Sequence, residues 1–168
     1  KVEWDTSAVT KPDTTALLAQ YRELAAKPGN VAMQADMAPL AGAPHKISAE
    51  FVFPYLAHAP MEPLNCTVKL DGDKAELWMG TQMPGLDAMA AAKTLGLQPQ
   101  NVKVNTQMAG GGFGRRAIPT SDYVVEACGV AKAVRTAGIT APVRTLWSRE
   151  DDIKGGYYRP MHVHRAEI

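Results

Sequence analysis

Apolar positions recur along this chain in two rhythms, and the switches between them lay out its elements. Leu17, Leu18, Tyr21, Leu24 and Ala25 share one helical face behind Asp13, a natural N-cap, and Pro28-Gly29 stops that helix. Glu50-Phe51-Val52-Phe53 reads as a strand. Thr67-Val68-Lys69-Leu70 and Ala75-Glu76-Leu77-Trp78-Met79 read as a hairpin turned by Asp71-Gly72-Asp73. The spacing next predicts a helix over 85–95, closed by Gly96 as a left-handed cap, and a strand over 102–106. A longer helix over 121–136 places Val124, Cys128 and Ala131 on one face and ends at Gly138. Strands over 142–147 and 161–168 complete the pattern.

The order β-β-β-α-β-α-β-β predicts an α+β fold, a mixed or antiparallel sheet covered by two helices and preceded by a helical N-terminal segment. Residues 29–47 are rich in Ala, Pro and Gly without periodicity and read as a connector. The expected division is therefore 1–47, helix and linker, and 48–168, the main domain. The last strand pattern runs to Ile168 without a turn residue, so the chain is expected to be a piece of a longer one.

Composition narrows the function classes. At 168 residues, 46% apolar and 21% charged, the chain has the make-up of a globular domain. A net charge of +1 offers no electrostatic case for nucleic acid or an anionic membrane. No run approaches the roughly 18 apolar residues that span a bilayer. Cys66 and Cys128 are too far apart for metal-ligand spacing. His162 and His164 alternate as neighbours on a strand face do, which does not require a metal.

The chemistry concentrates in Met108-Ala109-Gly110-Gly111-Gly112-Phe113-Gly114-Arg115-Arg116, between the strand over 102–106 and the helix from Ser121. A backbone so free of side-chain bulk can turn sharply and lie directly against a ligand. Glycine turns between strand and helix commonly receive anionic or polyoxo groups on their N–H groups. No Gly-Lys-Ser/Thr follows, and the glycine spacing is wrong for the dinucleotide fingerprint. A plain tight turn and a ligand cradle both remain open.

Four segments together resemble the molybdenum-cofactor-binding subunit of the xanthine dehydrogenase/aldehyde oxidase family, nearest its isoquinoline 1-oxidoreductase beta-subunit branch. They are Ala57-His58-Ala59-Pro60-Met61-Glu62-Pro63-Leu64-Asn65-Cys66, Trp78-Met79-Gly80-Thr81-Gln82-Met83-Pro84, Gly110 to Arg116, and Trp147-Ser148-Arg149-Glu150-Asp151-Asp152, in the family's order. The resemblance implies a molybdenum hydroxylase: water-derived oxygen added to an aldehyde or N-heterocycle, with electrons leaving through iron–sulfur clusters. It implies a molybdopterin cofactor, with or without a cytosine dinucleotide, whose dithiolene holds the metal so that no side chain need do so. The implied partners are an iron–sulfur small subunit, the remaining domains of the large subunit and a small-molecule substrate. A bacterial source is implied, and the compartment stays open between cytoplasm and periplasm.

Residue by residue, Gln82 matches the glutamine that hydrogen-bonds the apical oxo ligand, and Phe113 and Gly114 match the segment beside the metal and substrate channel. Gly111 and Gly112 would let that segment come close. Arg115, with Arg116, could hold a pterin phosphate, or the two could be rim charges. From the residues alone, Gln82 could instead cap the helix near Gly85, and Phe113 could be a core residue covering the turn. Glu62 reads as a structural pair or cap, His58 as a hydrogen-bonded structural histidine, and 149–152 as a solvated turn. The family's general-base glutamate lies far downstream of the matched stretch, so no catalytic residue is assigned. The isolated chain is expected to be inert, to hold no cofactor, and to be capable of pairing with itself. The alternative is a non-catalytic module whose glycine loop receives a phosphate or a peptide.

Overall fold

The computed structural model describes residues 2–11 and 13–168. Its contacts divide the chain into two compact units, residues 1–55 with 160–168, and residues 56–159. The break therefore falls beyond the expected 47/48, because the strand that begins at Ser48 takes its partner from the chain's far end.

In the first unit, α1 (Thr14–Ala25) is opened by Asp13, whose carboxylate accepts from the Thr15 N–H at 2.8 Å. A short helix, α2 (Ala38–Gly42), lies inside the stretch read as a connector; its five residues are too few to show a period. Strand β1 (Ser48–Phe53) pairs antiparallel with β6 (His162–Glu167), residue 48 opposite 167. Glu50 of β1 joins the unit's elements by accepting from Arg22 of α1 at 2.8 Å and Arg165 of β6 at 3.3 Å. His162 and His164 share a face as their alternation predicts, ring centroids 5.6 Å apart.

The second unit holds the core. Strands β2 (Asn65–Asp71) and β3 (Lys74–Met79) form the expected hairpin, Asp71 opposite Lys74, with Gly72 at φ +58° in the turn. Helix α3 (Pro84–Leu95) then carries the chain to β4 (Val102–Thr106), which lies parallel to β3. Gly96 closes α3 at φ +74°, as expected. Helix α4 (Asp122–Thr136) leads to β5 (Val143–Leu146), antiparallel to β2, and α5 (Arg149–Lys154) follows. The resulting order is β4-β3-β2-β5.

The class is the expected one, a mixed sheet with α3 and α4 on it, but β1 and β6 form a separate two-stranded sheet instead of extending it. Alternation decides the packing. Cys66 and Val68 of β2 and Ala75, Leu77 and Met79 of β3 face Ala91 and Ala92 of α3 and Val124, Ala127, Cys128 and Ala131 of α4, all buried. Each is small or medium-sized where the helices come down, so the layers close; truncating the fully buried Leu77 to Ala would cost about 2–5 kcal/mol.

Residues 149–152 are not a solvated turn. They open α5, where Ser148 accepts from the Asp151 N–H and Arg149 reaches Asp152 at 2.7 Å, burying the Asp152 side chain. Arg149 also donates to the carbonyls of Pro60 and Met61, at 2.5 and 3.0 Å, which ties α5 to the irregular segment ahead of β2. No helix among the described residues is long and apolar enough to cross a membrane.

Candidate functional site

Two connections at one end of the sheet build the site: residues 80–83 after β3, and residues 107–121 after β4. They meet because β3 and β4 are parallel neighbours and end together, Met79 opposite Thr106. The close approach requires glycine. A Cβ on Gly80 would lie 2.8 Å from Ala109 Cβ, one on Gly110 2.5 Å from Glu62 Cβ, and one on Gly112 2.7 Å from Gln82 Oε1. Gly111 at φ +103° and Gly114 at φ +96° turn the chain in conformations that side chains rarely adopt.

Arg116 holds the two connections together. Its side chain is fully buried. It donates to Gly80 O at 3.2 Å, Gly111 O at 2.9 Å, Glu62 O at 3.1 Å and Glu62 Oε2 at 3.0 Å. The Tyr123 hydroxyl donates to the same Gly80 carbonyl at 3.0 Å. Glu62 completes the clamp: its Oε2 accepts from the Gly110 N–H at 2.7 Å, its Oε1 from the Asn65 amide at 2.8 Å, and its own N–H donates to Gly110 O at 3.1 Å. Partial burial opposes ionisation of this carboxyl. The Gly110 N–H, the Asn65 amide and the charges of Arg116 and Arg144 outweigh that and hold it below its ordinary value.

Arg115 is equally interior, at 2% exposure. It makes a two-pronged pair with Asp122 at 2.9 and 2.7 Å and lies 5.4 Å from the Trp147 ring centroid. Burial removes the reading of Arg115 and Arg116 as rim charges. Any phosphate held by the Arg115 guanidinium would have to compete with Asp122.

Gln82 does not cap α3. The N-cap residue is Met83, and the nearby Thr81 hydroxyl accepts from the Met83 N–H while donating to Asp87. The Gln82 Oε1 faces the glycine loop instead, accepting from Gly114 N–H at 3.2 Å and Arg116 N–H at 3.3 Å. Backbone N–H groups only donate, so the amide end beside them must be oxygen and the exposed end must be the –NH2 donor.

The loop's own polarity follows from stereochemistry. Three successive carbonyls are captured within the protein: Gly110 O by the Glu62 N–H, Gly111 O by Arg116 Nε, and Gly112 O by the Arg115 N–H. In a trans peptide the C=O and the next N–H point oppositely, and no cis bond occurs among the described residues. The N–H groups of Gly111, Gly112 and Phe113 are therefore turned away from those captured carbonyls, and none has an acceptor among the described residues. Phe113 stands at φ +55° and is 77% exposed, so it is not a core residue covering the turn.

The site thus presents three backbone donors, the Gln82 amide and an exposed aromatic ring. The buried arginines are neutralised by Glu62 and Asp122, so the donors come with no excess charge. His58 lies beside Gly114, and its Nδ1 is buried without a partner among the described residues, contrary to its reading as a hydrogen-bonded histidine. No group of three or more His, Cys, Asp or Glu among the described residues is placed to hold a metal ion.

The family profile described as a molybdopterin cofactor-binding domain matches residues 23–168. The chain belongs to that family. It is 40% identical over 110 residues to the isoquinoline 1-oxidoreductase subunit beta of Brevundimonas diminuta, covering 65% of this chain and 13% of that one. It is 31% identical over 123 residues to the aldehyde oxidoreductase molybdenum-binding subunit PaoC of Escherichia coli (strain K12), covering 73% of this chain and 16% of the relative. The aldehyde oxidoreductase of Desulfovibrio gigas shares the fold, with a TM-score of 0.59 at 21% identity over 79% of this chain and 14% of that one. The chain spans 13% and 16% of the length of those two curated relatives.

Proposed function

We propose that this chain forms part of the large subunit of a molybdenum hydroxylase and supplies the surface against which the molybdenum centre sits. The supporting observation is the donor array: three consecutive N–H groups with no acceptor among the described residues and the exposed Gln82 amide, at a loop whose close approach only glycines allow. Such donors suit oxo and pterin ligands, which offer acceptors and need close approach. Gln82 would donate to a ligand oxygen of the metal centre, Gly111, Gly112 and Phe113 would donate from the backbone, and Gly114 would keep Gln82 oriented. Arg115 would support the loop through Asp122. The cofactor, when bound, would supply two-electron redox chemistry with water as the oxygen source.

The relatives' names point to an aldehyde or an N-heterocycle as substrate, and to an enzyme of more than one subunit. An iron–sulfur small subunit and the remaining large-subunit domains would carry electrons away and complete the pocket, including its general base. The 168-residue chain alone would then be inert, and turnover by it would overturn that part of the reading. The rival, a phosphate- or peptide-binding module, needs the loop to open a helix. Here α4 starts only at Asp122, after a separate turn over 115–117.

Molybdenum per chain, measured by elemental mass spectrometry on the full-length product and on this chain side by side, tests the proposal. Molybdenum near one per full-length chain is expected, with none in the 168-residue piece. Full-length protein devoid of molybdenum, made in a host that synthesises the pterin, would refute it.

A further inference from the structure

We infer that Glu62 and Arg116 are positioning residues: together they latch the peptide planes of the glycine loop so that its N–H groups, and not its carbonyls, face the cofactor. The inference rests on the reading of the loop as the molybdenum-centre surface, and it concerns two side chains that would touch neither cofactor nor substrate.

A glycine loop has little steric preference between a peptide plane and its flipped form, because no Cβ opposes either. A flip at Gly111–Gly112 would replace an outward donor with an outward carbonyl, which would repel an oxo ligand. What selects one form here is the partner of the inward carbonyl. For the plane joining Gly110 and Gly111 that partner is the Glu62 N–H, reinforced by the Glu62 carboxylate on Gly110 N–H. For the plane joining Gly111 and Gly112 it is Arg116 Nε. The two controls are one unit, because Arg116 Nη2 holds both the carboxylate and the carbonyl of Glu62.

Arg116 also anchors Gly80 O, two residues before Gln82, and its own N–H and carbonyl both bond Gln82. Arg116 thereby sets the side-chain donor through its main chain, and its guanidinium sets the middle backbone donor and fixes Gly80. Arginine suits this position because its planar fork serves several acceptors in fixed directions, whereas a lysine ammonium is a single point on a flexible stem.

The test uses the full-length subunit, comparing wild type, Arg116→Lys and Glu62→Gln. Three measurements are made on each: molybdenum per chain, the g values of the molybdenum EPR signal normalised to metal content, and thermal unfolding of cofactor-free protein. Both variants should fold but unfold below the wild-type temperature, because each breaks the buried pair of Arg116 with Glu62. Each should lose about tenfold in molybdenum retention, the low end of the loss expected when a group orienting a ligand is removed. Whatever metal remains should give shifted g values, a change that lowered stability alone would not produce.

Wild-type occupancy and unchanged g values in both variants would overturn the latch. A wild type without molybdenum would overturn the underlying function instead, so the two failures are distinguishable. Should Arg116→Lys fail to fold, Glu62→Gln decides alone, since its side chain is one-third exposed and its loss leaves no buried hole. Unchanged occupancy and spectrum there would refute the latch.

Discussion

Replacing Asp122 with Ala should destabilise the chain sharply, and the size of the effect can be worked from the pair it breaks. The substitution leaves Arg115, 2% exposed, charged and without its two-pronged acceptor. Breaking a buried ion pair from one side costs about 3–5 kcal/mol. The Asp122 side chain is 23% exposed, so water can reach part of the stranded guanidinium and the expected cost falls to about 2–3 kcal/mol. The Trp147 contact does not depend on Asp122 and survives. With a urea dependence of about 2 kcal/mol per molar, the unfolding midpoint should drop by about 1–1.5 M, read from tryptophan fluorescence. Adding Arg115→Met removes the orphaned charge while keeping an apolar stem of similar length, and the double variant should recover to within about 1 kcal/mol of wild type. A single-variant loss below about 1 kcal/mol would refute the claim that this pair holds the loop's base. The same double variant in the full-length subunit separates structure from ligand contact. If the guanidinium serves only Asp122, molybdenum content is retained; its loss from a folded double variant would return a direct cofactor contact to Arg115.

Gly112→Ala should displace the Gln82 amide, because the new Cβ would lie 2.7 Å from an oxygen pinned by two N–H groups. Losing both bonds costs about 1–2 kcal/mol in denaturant unfolding, with molybdenum content falling in full-length protein; no change in either would remove Gln82 from the site. Burial pushes the Cys66 and Cys128 thiols up to about 12, so neither should react with a thiol reagent at pH 8 until the chain is unfolded. Rapid labelling of native protein would contradict the packing of β2 against α4. Glu62, held below its ordinary 4.5, adds stability that is complete above that pH and is lost as pH falls through its depressed folded-state value. The stability gap between wild type and Glu62→Gln should therefore be constant near neutrality and close in acid, and a gap that widens in acid would invert the assignment.

What could be read from the sequence and what could not divide along a physical line. Helices α3 and α4, the β2–β3 hairpin and β4 were legible because each announces itself by a local period and a local stop, such as Gly96 and Asp71-Gly72-Asp73. The loop was legible by its lack of bulk, and Gln82 by its resemblance to a known pattern. The clamp beneath them was not. Glu62 meets Gly110 and Arg116 across 48 and 54 residues, and no period spans such distances. The pairing of β1 with β6 was hidden for the same reason, since strand patterns do not name their partners.

Arginines beside a glycine loop also invite a surface reading, because charged side chains are rarely buried unpaired. Their burial has a reason nonetheless. Each N–H turned outward for a ligand turns one carbonyl inward, and a buried carbonyl without a donor costs roughly 1–3 kcal/mol. Glycines have no side chain with which to supply that donor. The donors must then come from neighbouring backbone, as from Glu62 and Arg115, or from a side chain able to serve several acceptors at once. Arg116 does this for Gly111 and Gly80 together, and Glu62 neutralises the charge that comes with it. A loop that offers several donors outward thus needs donors behind it for its inward carbonyls, and Arg116, paired with Glu62, supplies at Gly111 the one that neighbouring backbone does not.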